Sequence, residues 1–249
     1  MPTGAVPAGT KLPVLVWGNG GCSGDGTSNV QLLQQIASYG YLAIASGAPK
    51  GSKSTTAAMM SASIDWAVKN AGTGAYANVD ASKIMAAGFS CGGVEAMAQA
   101  WDSRVKSIGI FSSGLLTNYT AASTFTQPIL YCLGGSSDIA YANVSLSRRS
   151  RLMRLCVVVL GGSDGSWQGE RDFKALPAAT ASWKGNLPVG HGGTLFDANG
   201  GKFGRAGLAW LEYLFKGNTT AGQYIIGDGY KADNWTVETH ALTNLKPLV

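Results

Sequence analysis

Ile84-Met85-Ala86-Ala87-Gly88-Phe89-Ser90-Cys91-Gly92-Gly93-Val94-Glu95-Ala96-Met97-Ala98-Gln99-Ala100-Trp101 decides how this chain folds. The first four residues read as a buried strand and residues 94–101 as a helix. Between them stands a serine flanked by glycines, the G-x-S-x-G pattern. In that pattern a turn too sharp for large flanking side chains presents a hydroxyl at the end of a strand. The pattern alone carries little weight in a chain with 35 glycines. The strand before it and the helix after it supply what a chance glycine-rich turn lacks.

Outward from this point, strand-like and helix-like stretches alternate, the mark of a mostly parallel sheet covered on both faces. Strands are predicted over residues 12–17, 41–46, 84–88, 105–111 and 128–133. Helices are predicted over 29–39, 56–70 and 203–215, the last amphipathic. The pattern from Thr219 onward determines little. The fold class is therefore α/β, and residues 1–249 read as one domain.

A serine nucleophile needs a base to take its proton and an acid to orient that base. The chain has two histidines. His191 lies in the glycine-flanked loop Gly190-His191-Gly192-Gly193 after an expected last strand, whereas His240 lies in the C-terminal tail. The strand ending at Leu133 runs through Gly134-Gly135-Ser136-Ser137 into Asp138, which otherwise reads as an ordinary turn aspartate. The order Ser90, Asp138, His191 is that of α/β-hydrolases and differs from the chymotrypsin and subtilisin orders.

An oxyanion hole needs two backbone N–H groups aimed at the developing charge. The amide of Cys91, next to the serine, is one candidate, and the amide of Asn19 in Gly18-Asn19-Gly20-Gly21 is the other. A dinucleotide-binding turn at Gly18 fails, because Ser23 stands where the third glycine belongs and no acid follows at the needed distance. Cys22 and Cys91 fall in the same two loops. In an oxidising compartment they could form a disulfide; otherwise they are two small buried thiols. Trp17 and Trp183 are candidate substrate-cleft residues, with core packing as the other reading for each.

Charged residues make up 13% of the chain, which argues against a nucleic-acid binder. The net charge of +5 includes a local +3 in residues 144–168, which hold Arg148, Arg149, Arg151, Arg154 and Asp164. No apolar run approaches the ~20 residues of a membrane span, and the N-terminus shows no signal peptide. Sequons at Asn118, Asn143, Asn218 and Asn234 suit a secreted glycoprotein. No metal-ligand spacing, haem motif or P-loop stands out, so no metal or cofactor is expected.

The serine, acid and histidine in this order, with Pro13-Val14-Leu15-Val16-Trp17-Gly18-Asn19-Gly20, resemble secreted fungal α/β-hydrolases of the dienelactone-hydrolase and polyester-hydrolase (cutinase-like) type. The resemblance covers residues 6–143 and 169–240. It implies an α/β-hydrolase fold, an extracellular monomer, and cleavage of small-molecule or polymeric carboxylic esters by Ser90, His191 and Asp138. It also implies leading strands before the Asn19 loop, which begins only 17 residues into this chain, so an N-terminal truncation is expected.

Residues 144–168 have no counterpart in that family. Without these 25 residues the separation between Asp138 and His191 falls from 53 to 28 (53 − 25). Val144-Ser145 can be encoded by GTG-AGT, like a splice donor, and Gln168 by CAG, like an acceptor. The segment is accordingly expected to be a retained intron, with an inserted lid as the alternative. The competing expectation for function is a degenerate hydrolase-like chain that keeps the three residues without activity.

Overall fold

The structure is a computed structural model that describes residues 1–2, 7, 9–116, 118–140 and 169–249. The anomalous segment 144–168, with Asn143, lies outside the described residues. The described strands form one seven-stranded sheet in the order β2-β1-β3-β4-β5-β6-β7. They are β1 (Leu12–Gly18), β2 (Leu42–Ala45), β3 (Val79–Phe89), β4 (Val105–Phe111), β5 (Ile129–Leu133), β6 (Ser182–Asn186) and β7 (Thr236–His240). All neighbours pair in parallel except β6 and β7, which are antiparallel.

Alternation of side chains along each strand fills two cores. Leu15, Trp17, Met85 and Trp183 face one layer of helices. That layer holds α1 (Val30–Ser38), whose Leu32, Leu33 and Ile36 share one face, and α5 (Gly201–Lys216), which buries Phe203, Trp210 and Leu214. Val14, Val16, Ile84 and Ile108 face the other layer, with α2 (Ala57–Asn70), α3 (Cys91–Met97) and α4 (Gly169–Ala175). Thr56 caps α2 by accepting from the Met59 amide. A short helix, α6 (Thr219–Ile225), follows the αL residue Gly217 that ends α5. At the start of α4, the Gly169 amide donates to the Ala140 carbonyl at 2.8 Å. No helix among the described residues is long and apolar enough to cross a membrane.

Most predicted elements appear within a residue or two. One strand was not predicted, β7 at the exposed edge, and β6, Ser-Trp-Lys-Gly-Asn, is the last strand expected before His191, although its apolar and polar residues are all buried. Lys184 of β6 is fully buried because Glu170 on α4 and Glu238 on β7 hold its ammonium at 2.5 and 2.7 Å.

The chain leaves β1 for β2 on one side, then returns for β3 on the other. β1 and β3 are therefore neighbours at a topological switch point, where loops leaving the carboxyl ends diverge and open a crevice. Gly18 pairs in register with Gly88, which brings the loop containing Asn19 beside the turn containing Ser90.

Candidate active site

Ser90 adopts φ 52° and ψ −119° at the junction of β3 and α3, a conformation costly for a residue with a side chain. Three bonds hold it there. Its amide donates to the Phe111 carbonyl at 3.0 Å, and its carbonyl accepts from the Gly93 amide at 2.9 Å and the Ser113 hydroxyl at 2.6 Å. The turn tolerates only glycine two places before and two places after it. A Cβ on Gly88 would come within 2.2 Å of the Gly92 carbonyl oxygen, and one on Gly92 within 2.0 Å of the Gly18 carbonyl group.

His191 reaches this turn from the loop after β6. That loop is tied to the end of β5 by three amides: Leu187 donates to Leu133, and Val189 and Gly190 both donate to Gly134. His191 Nε2 lies 3.0 Å from Ser90 Oγ, and His191 Nδ1 lies 2.8 Å from Asp138 Oδ1. Asp138 is wholly buried beyond β5 and accepts two further bonds, from Gly134 N at 2.7 Å and Ala140 N at 3.0 Å. These contacts fix the carboxylate toward the imidazole. The His191 side chain keeps 28% of its surface open, so the series runs from a wholly buried acid through a partly open imidazole to Ser90, itself 7% exposed. Residues separated by 101 positions in sequence are thereby joined by hydrogen bonds.

Asn19 and Cys91 are also brought together. A Cβ on Gly92 would lie 2.6 Å from the Asn19 amide nitrogen, so the two loops touch through their backbones. The Asn19 side chain is turned inward and donates to the carbonyls of Ser23, Asp25 and Ser46 at 2.9, 3.0 and 3.1 Å. Cys22 and Cys91 form a disulfide with Cα atoms 5.1 Å apart. Of the other cysteines, Cys132 is buried and free.

Trp17 and Trp183 stand in the core rather than at an open cleft, exposed by 1% and 0%. Alternation along β1 and β6 turns both toward the α1 and α5 layer. There Trp17 packs on Phe111 and donates to Asn29, while Trp183 packs on Trp235. The apolar groups beside His191 are instead Phe89, its ring 5.0 Å from the imidazole, and Phe196, 5.7 Å from Phe89. Phe196 is 60% exposed and Val189 45%. Phe89 could have been singled out as the residue preceding the serine; Phe196 and Ser113 carry no sequence signal of their own.

Asn118, Asn218 and Asn234 are exposed. His240 lies on β7, its ring tilted 31° against the Phe173 ring at 4.2 Å, and remote in the fold from the Ser90 turn. Among the described residues no group of three or more His, Cys, Asp or Glu side chains converges as a metal site. No protein-family model matches the chain, and no curated protein matches it significantly.

Proposed function

We propose that this chain is a serine hydrolase of the α/β-hydrolase type that cleaves carboxylic esters through an acyl-enzyme. The observation that carries this is the series Ser90 Oγ, His191 Nε2, His191 Nδ1, Asp138 Oδ1, spaced 3.0 Å and 2.8 Å, on a serine held at positive φ. The topological switch point places the same residues where open α/β sheets bind their ligands.

In the proposed reaction His191 Nε2 takes the proton of Ser90 as the hydroxyl oxygen attacks the ester carbonyl carbon. The amides of Cys91 and Asn19 hold the oxyanion. His191 then protonates the leaving alkoxide, and the ester C–O bond breaks. Water, deprotonated by the same imidazole, attacks the acyl carbon; the bond to Ser90 Oγ breaks, the imidazolium returns its proton to that oxygen, and the acid is released. Asp138 keeps Nδ1 protonated and stabilises the imidazolium. The exposed Phe196, packed on Phe89, and the exposed Val189 of the His191 loop would favour apolar ester groups. The disulfide and the exposed sequons support an exported protein.

The test is turnover of p-nitrophenyl acetate and butyrate by the purified chain and by Ser90→Ala. Turnover that disappears in the variant is expected. Equal rates for the two proteins would overturn the serine mechanism.

A further inference from the structure

Cys91 and Glu95 lie one turn apart on the same face of α3, and both grip the segments that carry the proposed oxyanion hole. Cys91 does so through its disulfide to Cys22. Glu95 does so through a buried carboxyl, exposed by only 4%. Its Oε1 accepts from the Thr55 hydroxyl at 2.7 Å, and the Thr55 amide in turn donates to the Cys22 carbonyl at 2.8 Å. Its Oε2 has no partner and lies against the backbone of Gly18, where an added Cβ would meet it at 2.8 Å. Burying a leucine there would be favourable, whereas burying a carboxyl costs free energy unless something holds it. Nothing in the Ser90, His191, Asp138 series uses it.

We propose that Glu95 is a positioning residue for the oxyanion loop, its carboxyl setting the separation between the backbones of Asn19 and Cys91. The inference rests on the serine-hydrolase function proposed above. Gly18 leads directly into Asn19, and Glu95 stands four residues after Cys91. The carboxyl, anchored on α3 and on Thr55 and set against Gly18, therefore steadies the approach of the Asn19 backbone to that of Cys91 where the two loops touch. Burial raises the pKa of the carboxyl, with the Thr55 bond opposing in part. Glu95→Gln keeps its shape and the oxygen that accepts from Thr55. Gln99, in the turn after α3, extends the same attachment. It donates to the Ala57 and Glu95 carbonyls and accepts from Ser61.

Displacement of one oxyanion donor by a fraction of an ångström lowers the rate of the chemical step without weakening ground-state binding. Four variants separate this from a packing role: Glu95→Gln, Glu95→Leu, Thr55→Val and Ser90→Ala, each assayed for kcat and KM on p-nitrophenyl butyrate. Thermal melting and a thiol titration would confirm that fold and disulfide persist. Glu95→Leu is expected to lose roughly 10- to 100-fold in kcat with KM within about twofold, and Thr55→Val to lose roughly threefold or more. Glu95→Gln is expected to restore kcat to within about threefold of the parent.

If Ser90 is required but Glu95→Leu retains the parent kcat, the role of Glu95 is overturned while the serine mechanism stands. If Glu95→Gln is as impaired as Glu95→Leu, the carboxyl is not acting through its polar contacts and the proposal also fails. Should Glu95→Leu not fold, an undiminished kcat in Thr55→Val overturns it. If Ser90→Ala matches the parent, both the mechanism and the role built on it fall.

Discussion

Ser113 donates a 2.6 Å hydrogen bond to the carbonyl oxygen of Ser90, so the strained turn is held from beneath by the residue two places beyond β4. Ser113 is wholly buried. Ser113→Ala leaves the Gly93 amide as the remaining donor to that oxygen and is expected to cost about 1 kcal/mol of stability. Turnover should fall several-fold as Ser90 relaxes toward ordinary dihedrals. Chemical denaturation and ester kinetics on the same preparation check both.

Asp138→Asn keeps the shape of the acid but puts an amide N–H donor where one of three hydrogen-bond donors now points. The imidazole would then favour the wrong tautomer, and kcat is expected to fall by about 10³ to 10⁴ with KM little changed. A variant within tenfold of the parent would remove Asp138 from the proposed reaction.

The Cys22–Cys91 bridge closes a loop of sequence separation 69. Its replacement by two alanines is expected to cost about 4 kcal/mol, since cross-links over loops of this size restrict the unfolded chain by that order. Ester turnover should fall more steeply than the folded fraction, because the bridge ends on Cys91, whose amide is the proposed donor. Circular-dichroism melts set against kinetics below the transition make the comparison.

Asp172 gives the clearest pH dependence. It is fully buried on α4, accepts from the Leu115 amide at 2.5 Å and from Arg171, and lies near Tyr131. Burial pushes its carboxyl up to about 6 from an ordinary value of 3.8, outweighing those contacts. A raised folded-state value means that the protonated acid favours folding. The contribution is complete below about pH 4 and is lost as the pH climbs through 6, on the order of 2–3 kcal/mol by proton linkage. Urea unfolding from pH 4 to 7.5 should show this decline in the parent and a flatter profile in Asp172→Asn. Parallel profiles would contradict it.

The parts of the fold legible in the sequence were those where burial and apolar character coincide. Val14 to Trp17, Ile108 to Phe111 and Ile129 to Leu133 are apolar runs, and Leu32, Leu33 and Ile36 mark the buried face of α1. β3 begins five residues earlier than its apolar run, because Val79 and Asp80 pair with Leu12 and Pro13 through a register shift that no local pattern announces. β6 was expected only as a last strand before His191, and its bounds were hidden for a different reason. Its lysine is buried by charges from α4 and β7, which are distant in sequence. Trp17 and Trp183 show the limit on the site side, since a large aromatic reads the same whether it lines a cleft or fills a core. Ser90, Asp138 and His191 were legible because glycines mark the turns that carry them. Glu95, Ser113 and Phe196 act through three-dimensional neighbours and leave no comparable mark.

The hydrogen bond from Gly169 to Ala140 spans 29 positions in this chain, yet it has the form of a helical bond in a shorter one. If residues 144–168 are excised, Asn143 joins Gly169, and Gly169 becomes the fourth residue after Ala140. An amide bonded to the carbonyl four residues back is the repeating unit of an α-helix. The shortened message would therefore encode a helix one turn longer, starting beside Asp138 and running into α4 with no change in the position of Glu170. The chain deleted for 144–168 is expected to be soluble, to melt no lower than the full chain and to keep its turnover. Failure of that chain to fold would mean that the agreement in register is accidental.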